Sequence, residues 1–290
     1  MRWVYPFPET SPAWENSDRV PLFPELLRVG HQKYAEAYPI HLHSHNREYE
    51  FVYLQHGNVT WEVDSALYPM SAGQWFFTRP GELHKARFNH MEPGHIWWMI
   101  LTDPECDPNW FRLDKNERQI VIYRLQQLPR VFRADPRTHE HFARLKQTLI
   151  SESPEKTLFA RYQLLDILLR MLQPAPVKTI EPELRDAIVQ SVEQMAQVPE
   201  QRLSVSDMAR AVQISESHYF KLFHEVFGQS PASYMDRIRI ERACKLLQTD
   251  ASVTDIAMDL GYKTSQHFTK VFRKITGSSP SEWRRGLKST

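Results

Sequence analysis

One short pattern occurs twice in the last third of this chain, and the repetition restricts the fold more than any other feature. His218-Tyr219-Phe220-Lys221-Leu222-Phe223, followed by Gly228-Gln229-Ser230-Pro231, returns 49 residues later as His267-Phe268-Thr269-Lys270-Val271-Phe272 with Gly277-Ser278-Ser279-Pro280. Upstream, Val205-Ser206-Asp207-Met208-Ala209 is matched by Val253-Thr254-Asp255-Ile256-Ala257 at an offset of 48, so the second copy has one extra residue between its segments. Two copies are too few for a solenoid. A helix, a tight turn and a basic helix, built twice, describe a chain that grips DNA twice.

In the first copy, Ser204 or Ser206 is expected to cap a helix with Val205, Met208, Ala209 and Val212 on one face. After a turn at Gln213-Ile214, Ser215 caps a second helix with Tyr219, Leu222, Phe223 and Val226 inward, and Gly228 ends it. In the second copy Thr254 is expected to cap a helix through Leu260, and Gly261 makes the turn. The next helix then runs from about Ser265 to Ile275, and Gly277 stops it. The outward residues of the first recognition helix are Glu216, Ser217, Phe220, Lys221 and His224. Those of the second are Ser265, Gln266, Thr269, Lys270 and Arg273, with Lys263 and Thr264 before them. Gln and Lys bond base edges, and Ser and Thr bond bases or phosphates.

Residues 184–286 resemble the DNA-binding domain of the AraC/XylS family of bacterial transcription regulators. Ile214-Ser215 with Phe223 carry the resemblance in the first unit, and Asp255-Ile256-Ala257 through Gly261-Tyr262 in the second. The tail Phe268-x-x-x-Phe272-Arg273-Lys274-x-x-Gly277-x-Ser279-Pro280-x-x-Trp283-Arg284 completes it. Trp283 stands where the family usually has Tyr. Glu216 is an acidic head on a recognition helix, able to accept from cytosine N4 or to complement the helix dipole. The resemblance implies a sequence-specific regulator of double-stranded DNA and allows RNA polymerase as a further partner.

At 290 residues the length suits two domains. The net charge of +1 excludes binding of nucleic acid by bulk charge, so basic groups must be placed rather than abundant. Cys106 and Cys244 are far apart and predict no disulfide framework, which fits a reducing cytoplasm. No leading apolar run resembles a signal peptide and no stretch approaches a membrane span, so an intracellular protein is expected. The prolines of Gln173-Pro174-Ala175-Pro176-Val177-Lys178-Thr179-Ile180-Glu181-Pro182 mark a hinge. The expected fold class is α+β: a barrel domain over 1–135 with an N-terminal arm, a helical dimerisation segment over 136–173, a linker over 174–183 and the DNA-binding domain over 184–290.

Strand signals fill the first 130 residues. Glu50-Phe51-Val52-Tyr53-Leu54, Val59-Thr60-Trp61-Glu62-Val63, Gln74-Trp75-Phe76-Phe77-Thr78 and His95-Ile96-Trp97-Trp98-Met99-Ile100 are rich in β-formers, with Gly, Pro and Asn turns between. Eight of the thirteen histidines lie between His31 and His95, and His41, His43 and His45 alternate, as on one face of a strand. The spacing His43-x-His45-x4-Glu50-x6-Gly57, then Gly73-x6-Pro80-Gly81-x2-His84, is similar to the two motifs of the cupin barrel. Arg79 and Phe88 depart from it, at positions where Pro and Asn are common.

The resemblance leaves three uses for this cluster open. In metal-binding cupins the positions matching His43, His45, Glu50 and His84 hold a divalent ion, and no other cofactor is expected. In AraC-like regulators the pocket usually holds a small effector, often a sugar, which implies control of carbohydrate-utilisation genes. His41, His43, His45, Glu50 and His84 would then bond hydroxyls, and rings such as Tyr53, Trp61 and Trp97 would stack on the pyranose. The third use is a set of satisfied polar groups at a barrel mouth. An enzyme is not expected, because no acid–base pair stands beyond those four residues. The apolar run from Leu158 to Leu172 predicts a homodimer, and the proline-rich first forty residues predict an arm packed across the barrel, which the family resemblance allows to fold over bound ligand and report its occupancy.

Overall fold

The computed structural model describes residues 2–5, 23–173, 181–197, 205–227 and 229–287. Most of the expected arm, the linker prolines Pro174 and Pro176, and Ser204 and Gly228 lie outside these residues. The chain divides into two compact units: residues 1–35, 41–87 and 94–177, and residues 36–40, 88–93 and 178–290.

In chain order the strands are β1 (Arg2–Tyr5), β2 (Leu26–Tyr34), β3 (Tyr38–Pro39), β4 (Glu48–His56), β5 (Asn58–Val63) and β6 (Ala66–Ser71). They continue as β7 (Gln74–Thr78), β8 (His84–Ala86), β9 (His90–Met91), β10 (Gly94–Thr102) and β11 (Val131–Arg133). A six-stranded antiparallel sheet has the order β1-β2-β10-β4-β7-β11, and β6-β5-β8 form a second sheet. The short β3–β9 ribbon falls in the second unit.

Strand alternation gives the large sheet two dissimilar faces. On one, Glu50, Val52 and Leu54 share a side with Phe76 and Thr78, and Trp61 of β5 stacks on Phe76 with ring centres 4.7 Å apart. On the other, Phe51, Tyr53, Trp75, Trp97 and Met99 form one core with three helices, α1 (Lys115–Gln127), α2 (Thr138–Ile150) and α3 (Lys156–Met171). Fully buried Phe142 of α2 stacks on both Tyr53 and Trp97. Helix α1 interrupts a stretch expected to be strand-rich. Its start is a capping box in which Asp114 accepts from the Glu117 N–H, 2.9 Å away, and Glu117 accepts from the Asp114 N–H, 2.8 Å away.

The second unit contains α4 (Pro182–Gln197), α5 (Val205–Ala211), α6 (Glu216–Phe227), α7 (Pro231–Leu246), α8 (Val253–Asp259), α9 (Ser265–Thr276) and α10 (Pro280–Leu287). Helix α4 starts within the stretch read as linker, with Pro at a position where a helix tolerates it. Each copy of the repeat has its own core. Tyr219, Leu222 and Phe223 pack with Met208, Ala209, Ile188 and Val192; Phe268 and Phe272 pack with Ile256, Ala257, Leu260 and Tyr262. Helix α7 joins the two, giving Met235 to the first core and Ile240, Ala243 and Cys244 to the second.

The cap of α8 is Ser252, not Thr254: its hydroxyl accepts from the Asp255 N–H at 3.1 Å, which places Thr254 inside the first turn. Gln213 and Gly261 hold the same place in their copies and adopt the same left-handed conformation, with φ of 56° and 78°. A side chain is strained there and glycine is not, so the first turn is the more strained of the two.

Candidate functional site

In the first unit the motif residues meet where three segments converge. Glu50 points from β4 to the face opposite the helices, and β8 supplies fully buried His84. Residues 41–45 form no strand, which corrects the expectation of three histidines on one strand face. They pass β8 as a loop tied by a single bridge, His43 N to His84 O at 3.0 Å and His84 N to His43 O at 2.9 Å. The Gly81 turn, with φ of 81°, donates to His45 O at 2.7 Å and closes the loop against the second motif.

His43, His45, Glu50 and His84 each place one donor atom within 4.8 Å of all the others. His84 Nε2 lies 2.9 Å and His45 Nε2 3.6 Å from Glu50 Oε2. The far nitrogens of two rings are anchored: His43 Nδ1 donates to His41 O at 2.7 Å and His84 Nδ1 to Glu82 O at 3.0 Å. Nε2 of each ring is therefore left for the centre. Buried His45 Nε2 has no hydrogen-bond partner. Burial pushes the Glu50 carboxyl up, but the His45 and His84 rings facing it more than reverse this and hold it well below the carboxylate range. Burial lowers His43, whereas in His84 the bond to Glu50 overcomes burial and raises it. Three imidazoles and an ionised carboxylate, with anchored rings and one orphaned donor, match the ligand set of a first-row divalent ion.

Two residues missed in the sequence hold His84 in place. Arg130 Nη2 donates to Glu82 Oε1 at 2.7 Å, while Nη1 donates to Phe77 O at 2.9 Å and also meets the Glu82 carboxylate. Glu82 in turn accepts from the Arg79 N–H at 2.7 Å, and its carbonyl anchors His84. Arg130 is 48 residues from Glu82, so no local signal could have paired them.

The remaining effector candidates do not gather at this centre. Exposed His41 contributes only its carbonyl. Tyr53 and Trp97 lie on the other face of the sheet, under Phe142, because Tyr53 is three positions along the strand from Glu50, an odd offset. Trp61 does share the space, with its ring centre 6.3 Å from that of His84.

In the second unit, Glu216, Ser217, Phe220, Lys221 and His224 are exposed on α6, opposite the buried Tyr219–Phe223 stripe. On and before α9, Lys263, Thr264, Gln266, Lys270 and Arg273 are exposed, and Ser265 and Thr269 are half-buried. Thr264 also caps α9, accepting from the His267 N–H at 3.1 Å, and Gly277 closes the helix with φ of 81°. Exposed Arg273 lies 3.3 Å from the Glu282 carboxylate. At α10, Arg284 bonds Leu247 O at 3.1 Å and Ala251 O at 2.6 Å, tying that helix to the segment between α7 and α8.

Residues 208–286 match the family described as helix-turn-helix domain, and residues 31–100 match the cupin domain. The chain is 22% identical to the uncharacterized HTH-type transcriptional regulator YisR of Bacillus subtilis (strain 168), over 92% of this chain and 95% of that protein. It is 38% identical to the lactose operon transcription activator of Staphylococcus xylosus, over 29% of this chain and 31% of that protein. It is 27% identical to the arabinose operon regulatory protein of Escherichia coli (strain K12), over 54% of this chain and 56% of that protein. With YisR apart, the chain thus spans about a third to a half of the length of these relatives.

Proposed function

We propose that this chain, which belongs to the AraC-type transcription regulators and carries a cupin domain before its helix-turn-helix domain, binds operator DNA through α6 and α9 and receives its signal at a metal centre made by His43, His45, Glu50 and His84. The observation that carries the metal assignment is the convergence of four donor atoms within 4.8 Å, one of them the buried, unpartnered Nε2 of His45. A bound divalent ion would supply a fixed positive charge that draws the three segments to one point and polarises an oxygen-bearing ligand. The chain's own part is to orient: the main-chain anchors of His43 and His84 set their rings, and the Arg130–Glu82 pair holds the β7–β8 turn. Occupancy can alter DNA binding only if the ion or its ligand favours one arrangement of the chain over another.

A sugar effector is the second reading. It is favoured by relatives named for lactose and arabinose operons and by Trp61, the one proposed stacking ring that shares the space. Thermal unfolding of the full chain with Mn2+, Ni2+ or Zn2+, with chelator, and with a panel of monosaccharides separates the two. A ligand at about 100 times its dissociation constant adds about 2.7 kcal/mol. Stabilisation by an ion and loss in chelator is the expected result. A sugar-specific rise that survives chelation would replace the metal reading, and a flat response to both would end both.

The same reading includes a homodimer formed on α3. Its outer side exposes Leu158, Phe159, Tyr162 and Leu169 while Leu164, Ile167, Leu168 and Met171 fill the core behind it. An apolar face of this kind on a regulator is most simply covered by a second copy. Phe159→Lys with Tyr162→Lys should turn a dimer into a monomer in sedimentation at micromolar concentration. A wild type that already sediments as a monomer would refute it.

A further inference from the structure

The four-residue centre uses three of the eight histidines that lie between His31 and His95. Three of the others meet on the opposite face of the six-stranded sheet. His31 of β2 stands beside Trp97 of β10 in register, with ring centres 3.9 Å apart. His95 is two residues from Trp97 on the same strand, so it shares that face. The Nε2 atoms of His31 and His95 are in direct contact, and their ring centres are 4.5 Å apart.

The third ring arrives through an irregularity in the ladder. Between His95 and Ile96 the register of β10 against β4 slips by one, so that Ile96 faces Leu54 while His95 faces His56. Regular pairing would have put Gln55 there. Bulges re-aim side chains in this way, and the His56 ring centre lies 5.7 Å from that of His95. The two separations that His95 makes, to His31 and to His56, are close to the 4.2, 5.4 and 5.6 Å found among the rings of the four-residue centre.

We propose that His31, His56 and His95 form a second, all-imidazole site for a late first-row divalent ion, distinct from the centre at Glu50. A hydrogen bond between His31 and His95 alone would account for their contact. It would not account for the bulge that brings His56, or for buried His31 Nδ1, which has no hydrogen-bond partner. In the structure only His31 and His95 are in direct contact, and exposed His56 would have to rotate its side chain to join them. With no carboxylate in the set, hard ions such as Mg2+ and Ca2+ are disfavoured, and Ni2+, Cu2+ and Zn2+ suit it. Lys33 and Lys146 lie near enough to act on the two rings and oppose an added dication, which makes this the weaker of the two sites.

Calorimetric titration of the full, metal-stripped chain with Ni2+ at pH 7.5 tests the assignment, with circular dichroism as a check on folding. Wild type is expected to bind two equivalents. His56→Ala alters an exposed residue and should weaken only the second equivalent, by about tenfold or more, since even outer-shell partners matter on that scale. His31→Gln with His95→Gln should abolish it. His43→Ala with His84→Ala should remove the other equivalent and leave this one, so the two assignments fail separately. A His56→Ala isotherm identical to wild type, or no binding by the His43→Ala/His84→Ala form, would overturn the second site.

Discussion

Arg130→Ala is expected to destabilise the first unit by about 3 kcal/mol, the lower end of the range for breaking a buried ion pair. The lower end applies because the Glu82 side chain keeps 20% of its surface in water, while that of Arg130 keeps 12%. The loss leaves a half-covered carboxylate without its bidentate partner and removes the guanidinium that lies over the Tyr68 and Phe77 rings. Burial raises the Glu82 carboxyl, but the bonds from Arg130 and the Arg79 N–H outweigh it and lower it. A lowered folded value means that this contribution is complete above the unfolded carboxylate pKa of about 4.3 and fades as pH falls through the folded value. Urea unfolding of wild type and variant should therefore differ most near neutral pH and converge in acid. Equal urea midpoints at pH 7 would show that the clamp contributes nothing. Because Glu82 O anchors His84, the variant should also bind metal about 10- to 100-fold more weakly.

On the DNA side, Gln266→Ala is expected to cost about 1–3 kcal/mol at one base pair and to relax preference there, as loss of a bidentate base contact does. Lys221→Ala should act in the same way at a different base pair. Arg273→Ala should weaken all sequences together and reduce the salt slope by about one unit, as loss of a phosphate contact does. Competition binding across single-substitution operators, repeated at several salt concentrations, distinguishes the two patterns. If every variant lost affinity evenly over all sequences, the division between reading and positioning residues would be wrong.

The helical unit was legible because its signals are local. The apolar spacing of Tyr219, Leu222 and Phe223, repeated in Phe268 and Phe272, puts each stripe inward whatever the rest of the chain does. Ser215, Thr264 and Gly277 act as caps or stops within a few residues of themselves. Among the described residues, cap assignment failed where two hydroxyls competed. Ser252 and Thr254 are both able to cap, and only Ser252 has extended backbone preceding the first helical turn. Helix α1 was missed although Asp114 and Glu117 spell a capping box, because its apolar residues, Ile120 to Tyr123 and Leu125, run together instead of marking one face.

The barrel was legible as strands and only partly as a site. Motif spacing brought together His43, His45, Glu50 and His84 because a turn and a bridge connect neighbouring strands. It misplaced Tyr53 and Trp97, since an aromatic on a strand can face either side and both sides here are buried. Arg130 and the His31–His56–His95 group depend on pairings between distant segments and on a one-residue slip in register.

The sequence by itself thus determined the two helix-turn-helix units, their outward residues and the donor types of the cupin motif, all of which follow from periods and spacings inside short segments. Which rings face the helices, which carboxylate holds the His84 turn, and which histidines meet across the sheet were decided only by tertiary structure. Those outcomes depend on contacts between distant segments, and for the rings and histidines of the strands a shift of one residue would exchange the sheet face they take.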